Sequence, residues 1–195
     1  MTGVKTLRDR AARLPEGDVV AILLEQHARI QELFGDVKTA RGEHKKQAFD
    51  ELRALLAVHE TGEEMVVRPV ARNTVGKGET DARNREEAEA NRVLGELEKM
   101  DVASEGFDAR LRELERAVLS HAEHEEREEF PALREGRDEA QLRHMGTMLR
   151  AAERIAPTHP HPGAAGNPVA QWSVGPLASL VDRAKDAIKE ASSRS

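Results

Sequence analysis

LRALLAVHETGEEMVVRPV, residues 52–70, places His59 four residues before Glu63. On a helix this spacing stacks a ring nitrogen and a carboxylate on one face. Leu52, Leu55, Leu56, Val66 and Val70 recur around the pair at helical spacing, which predicts a helix whose apolar face carries both polar groups into a core. Burying an imidazole and a carboxylate without partners would cost roughly 2–7 kcal/mol per polar group, and more for a charge. A metal ion is the obvious compensation.

A second copy follows. Residues 111–131, LRELERAVLSHAEHEEREEFP, carry His121 and Glu125 at the same spacing, with Leu111, Leu114, Val118 and Phe130 on or beside that face. His59 is followed by Glu63, Glu64 and Pro69, and His121 by Glu125, Glu126 and Pro131, so each proline falls ten residues after its histidine. His124 and Glu128 form a rival pair without the proline in register, and His121 is therefore read as the ligand.

An internal duplication requires the preceding helices to correspond as well. VVAILLEQHARIQELF sets His27 among Val20, Leu23, Leu24, Ile30 and Phe34, 32 residues before His59. EEAEANRVLGELEKM has its apolar face at Ala90, Leu94 and Leu97, and one turn upstream that face reaches Glu87, 34 residues before His121. Glu86 and Glu89 are alternatives to Glu87. Gly62, beside Glu63, reads either as space for a small ligand or as a close helix contact. Glu60 and His124 neighbour the ligands and are read as exposed.

The rest of the chain bounds the answer. With 195 residues, 30 Lys plus Arg, 36 Asp plus Glu and a net charge of −6 interspersed along helices, it is one charged-surface domain, a profile that argues against nucleic acid as a partner. The absence of cysteine excludes disulfides, iron–sulfur clusters and thiolate zinc sites. No apolar run approaches ~18 residues and the N-terminus lacks an apolar leader segment, so no membrane association and a cytoplasmic location are expected.

The expected fold class is all-α: an up-down-up-down four-helix bundle with extra C-terminal helices. A short helix over 4–14 is expected to end at Pro15. Long helices follow over 19–40, 43–71, 81–100 and 105–135, then one over 138–155. RNTVGKGETD, with Gly76 and Gly78, reads as a turn. Residues 1–155 thus form the bundle domain, and 156–176, holding five of the eight prolines, a loop. Residues 177–195 form a docking helix, with its apolar face through Leu177, Leu180, Val181 and Ile188, and a frayed tail.

The series His27, His59-x-x-x-Glu63, Glu87, His121-x-x-x-Glu125 resembles the hemerythrin-like HHE cation-binding family over about residues 18–135. The tail APTHPHP followed by GPLASLVDRAKDAI is similar to that of actinobacterial members. The resemblance implies two non-haem iron ions, oxo- or hydroxo-bridged, with Glu63 and Glu125 bridging and His27, His59 and His121 terminal. Glu87 stands where the family pattern has histidine. An added anion favours Fe(III), so faster autoxidation than in an oxygen carrier is expected. The ferritin-like alternative is disfavoured, since none of the eight histidines has a glutamate three residues before it.

The leading expectation is a di-iron protein that binds or reacts with dioxygen, hydrogen peroxide or nitric oxide in sensing, storage or detoxification. A di-iron oxidase or oxygenase acting on an organic substrate, with Trp172 in the proline-rich loop as a pocket roof, is the alternative; a structural bundle holding zinc or no metal is a third. The absence of tyrosine removes any tyrosyl-radical mechanism.

Overall fold

The computed structural model describes the backbone of residues 3–74 and 77–155, and their side chains except those of 72–74, 77–82, 84, 87 and 155. The expected loop 156–176 and helix 177–191 lie outside the described residues. Among the described residues the chain is helix and turn without strand. The elements are α1 (Val4–Ala11), α2 (Val19–Thr39), α3 (Gly42–Gly62), α4 (Arg68–Thr74), α5 (Lys77–Leu97), α6 (Phe107–His124), α7 (Phe130–Glu135) and α8 (Glu139–Ile155). No helix among them is long and apolar enough to cross a membrane.

α3 and α4 are one continuous rod joined by a π turn over Glu63–Val67, and α6 and α7 are joined likewise over Glu125–Glu129. With α2 and α5, these two rods make the four-helix bundle. α1 packs on α2, and α8 lies against α2 and α3. Short connections force antiparallel neighbours: only residues 40–41 separate α2 from α3.

Local chemistry explains most boundaries. Asp18 caps α2, its Oδ1 accepting the Val20 N–H at 2.8 Å, and it also pairs with Arg134 at the far end of the second rod. α1 stops at Ala11 rather than running to Pro15, whose ring disfavours helical backbone in the residue before it. Helix is described up to Thr74 and again from Lys77, so Gly78, expected in a turn, is helical. A helical glycine costs about 1 kcal/mol but forbids nothing, so two flanking rods override it.

The π turns repeat with the sequence. Arg68 N–H donates to the Glu63 carbonyl, five residues back, and Phe130 N–H to the Glu125 carbonyl in the same way. Each turn opens on the repeat glutamate and closes two residues before the repeat proline. A proline ring crowds the carbonyl four residues back and donates nothing to it, so widening the preceding turn relieves the conflict.

The core falls into two apolar clusters. One gathers Leu7, Leu23, Leu24, Val66, Phe130 and Leu149; the other gathers Ile30, Phe34, Leu56, Val93, Leu111 and Val118. On each ligand-bearing rod, the repeat residues fall between them. His27 follows Leu24 and precedes Ile30, and His59 and Glu63 lie between Leu56 and Val66. His121 and Glu125 lie between Val118 and Phe130. The helices thus hold a polar layer in the middle of an apolar bundle.

Candidate metal centre

His27, His59, Glu63 and Glu125 each offer a ligand atom within 4.8 Å of the others, and all four are buried. The rings share an orientation, with Nε2 turned toward the carboxylates. His27 Nε2 stands 3.5 Å from Glu125 Oε2, His59 Nε2 3.6 Å from Glu63 Oε1 and His121 Nε2 3.0 Å from Glu125 Oε1. The rings of His27 and His59 meet edge to face at 5.1 Å, and His27 stacks on Phe130 at 5.6 Å. Apolar walls therefore hold the first ring on its far side.

The opposite nitrogen of each ring is held by another helix. His27 Nδ1 is 3.1 Å from Glu126 Oε1, His59 Nδ1 2.8 Å from Gln26 Oε1 and His121 Nδ1 3.2 Å from Glu86 Oε2. Anchoring Nδ1 in this way fixes the ring and directs Nε2 as a donor atom. Glu86 is itself gripped by Arg83, 2.9 Å away, and lies 3.0 Å from His124 Nδ1.

A cation fits this donor set. His27 Nε2, both oxygens of Glu63 and Glu125 Oε2 are buried without a hydrogen-bond partner. Leaving them so costs about 1–3 kcal/mol each, more where charged. Imidazole nitrogen with carboxylate oxygen suits iron, zinc or manganese.

Electrostatics divide the group. Burial and the neighbouring His27 hold His59 down to about 3, so this ring is neutral. Burial alone would lower His121, but Glu125, with Glu86 behind it, holds it up to about 10. His27 is raised as well, Glu125 and Glu126 outweighing burial. Burial opposes the charge on Glu125, yet His121 and His27 hold it well below the usual carboxylate range. Burial and the charge of Glu125 push Glu63 well above it. At neutral pH the cation-free centre thus keeps a proton on His121, which an incoming cation must displace, and the upward shifts of Glu63 and His27 act in the same direction.

Residues 18–133, more than half of the chain, match the family model of the hemerythrin HHE cation binding domain. The chain belongs to the hemerythrin HHE cation-binding family. A curated relative, a protein named DNA nickase from Nostoc sp., is 26% identical over 133 residues, covering 68% of this chain and 38% of the relative. The chain spans under half the length of that relative. No solved structure matches it.

The buried cluster of this hemerythrin HHE chain thus joins His27, His59, Glu63 and Glu125, with His121 on the second oxygen of Glu125. Glu87 lies in α5, but its side chain is outside the described residues; its neighbour Glu86 meets Nδ1 of His121 and of His124. Glu60 and His124, read as exposed, are half-buried. Glu60 accepts a hydrogen bond from Asn91 Nδ2 at 3.1 Å because α5 closes over it, and His124 turns toward Glu86. Gly62 is a close helix contact: a Cβ there would meet Leu149 Cδ1 at 2.5 Å.

Three anchoring residues, Gln26, Glu86 and Glu126, escape the sequence pattern as anchors because their histidines lie 33, 35 and 99 positions away. Glu126 stands out only as the second glutamate of the repeated Glu-Glu pair, and Glu86 only as an alternative to Glu87. Beside the centre is a cavity of about 20 Å³, counted as space open to the centre of a water molecule. Ile30, Leu56, Ala90, Val118 and Leu119 line it, with the three histidines and Glu60.

Proposed function

We propose that the chain is a non-haem di-iron protein that binds or reacts with a small neutral molecule: dioxygen, hydrogen peroxide or nitric oxide. The observation that carries this reading is the convergence of three imidazole Nε2 atoms on two buried carboxylates beside a cavity with an apolar lining. Two irons held there would supply redox electrons and an open coordination position. Glu63 and Glu125, with His27, His59 and His121, would hold them. Glu126, Gln26 and Glu86 keep the rings from turning.

The cavity's size favours a small molecule. About 20 Å³ admits roughly one water-sized occupant, which suits a two- to four-atom molecule and leaves little room for an organic substrate. The name of the Nostoc relative raises DNA as a substrate, but a net charge of −6 opposes association with a polyanion.

The reading is tested with iron-loaded protein prepared without oxygen and then given air, hydrogen peroxide or nitric oxide in turn. A spectral change with at least one of them, and turnover of peroxide if the protein is a detoxifier, is expected. Iron-loaded protein indifferent to all three would refute it.

A further inference from the structure

The family match begins at residue 18 and ends at 133, yet two of the three histidines are tied to residues beyond it. Arg10 of α1 sets Nη1 2.6 Å from Glu126 Oε2, and the other oxygen of Glu126 is the one that meets His27 Nδ1. Glu153 of α8 accepts from Gln26 Nε2 at 2.7 Å, and Gln26 Oε1 meets His59 Nδ1. Each tether runs from an outer helix through one intermediary to a histidine. Both end in the same four-ligand group.

The outer residue fixes the polarity of each tether, because guanidinium only donates and a carboxylate only accepts. With Glu153 accepting, Gln26 turns its NH2 outward and its carbonyl oxygen inward, so Nδ1 of His59 carries the hydrogen. With Arg10 donating, Glu126 stays charged and accepts from Nδ1 of His27. In both rings Nε2 then faces the carboxylates. His121 supplies an internal contrast, since Glu86 and Arg83 hold its Nδ1 from within the bundle.

We propose that Arg10 and Glu153 are positioning residues: through them α1 and α8, outside the matched domain, set which nitrogen of His27 and His59 faces the cation. The assignment rests on the metal-binding reading for its purpose, though not for its geometry. Neither residue builds the core. α1 is seated by Leu7 and Ala11, and α8 by Leu142, Met145, Leu149 and Ala152.

The test uses the full chain and the variants Arg10→Ala, Glu153→Ala, Arg10→Lys and Glu153→Gln. Nitrogen-15 NMR of the cation-free proteins reads the imidazole tautomers, Co(II) competition against a chelator reads affinity, and thermal unfolding reads the fold. In the parent chain His59 is a single Nδ1–H tautomer. Glu153→Ala, and Glu153→Gln, whose amide also donates, give both tautomers at His59 and leave the His121 signals in place. Co(II) affinity falls about 10–100-fold in each alanine variant, with partial recovery in Arg10→Lys and little change in cation-free unfolding. Unchanged His59 tautomers with affinity within about twofold of the parent would overturn the proposal. So would an affinity loss matched by equal loss of the cation-free fold, in the conservative variants as well as the alanine ones. If the parent chain takes up no Co(II), the metal-binding reading falls, while the His59 tautomer still decides the tether.

Discussion

Glu63 and Glu125 occupy equivalent places in two sequence repeats: each opens a π turn, and their carboxylates meet in the buried centre. They differ in charge, Glu125 ionised beside His121 and His27 and Glu63 pushed up by burial and by Glu125. Such a pair is poorly matched to a cation-free interior and well matched to an occupied one. Glu63→Gln should therefore stabilise the cation-free protein by about 1–2 kcal/mol at pH 8. Cation affinity should fall by at least ~100-fold, because a ligand matters at least as much as the groups anchoring ligands. Chemical denaturation and chelator competition on the same sample check both signs.

Pro131 sits two residues beyond the second π turn, and the turn accommodates the proline ring. Pro131→Ala restores an N–H and allows a regular helical turn, which rotates Glu125 relative to Phe130. The expected outcome is a cation-free fold as stable or more stable, by about 0–1 kcal/mol, with weaker cation binding. Hydrogen exchange across 125–131 alongside metal titration would detect it.

Gly62 is set by packing. Gly62→Ala drives a Cβ against Leu149 Cδ1, and the overpacking of about 1–3 kcal/mol exceeds the ~1 kcal/mol gained in helix propensity. Net destabilisation is expected, relieved in the double variant with Leu149→Ala relative to Leu149→Ala alone. A thermal-unfolding double-mutant cycle measures that coupling.

Cation affinity should rise with pH. His121, held up to about 10, must lose its proton to bind, whereas His59, held down to about 3, is already neutral. His121 alone gives about tenfold tighter binding per pH unit between pH 6 and 9, and the raised Glu63 and His27 act in the same direction. In the cation-free protein the sign reverses for His121: its stabilisation is complete below its ordinary 6.5 and is lost as pH rises toward 10. Calorimetry in buffers of different ionisation enthalpy counts the released protons.

Much of this architecture was legible because it repeats. Apolar spacing around His59 and His121 predicts two rods with polar groups facing inward, and Val20, Leu23, Leu24, Ile30 and Phe34 orient His27 toward the same layer; all five are buried. The π turns were not legible, since a shared proline marks a conflict without saying how the backbone resolves it. Nor were the roles of Gln26, Glu86, Arg10 and Glu153, because cross-helix pairing depends on rotation and crossing that no local period encodes. The Glu87 side chain lies outside the described residues, and its neighbour Glu86 is engaged with His121 and His124.

The most direct test of the centre is anaerobic Fe(II) titration of the full chain, followed by metal analysis and optical spectra before and after air. The account predicts about two irons per chain, near-ultraviolet absorption that develops with oxidant, and loss of both in His59→Ala and Glu63→Ala. Fewer than one iron per chain, or an iron complement indifferent to both substitutions, would contradict it.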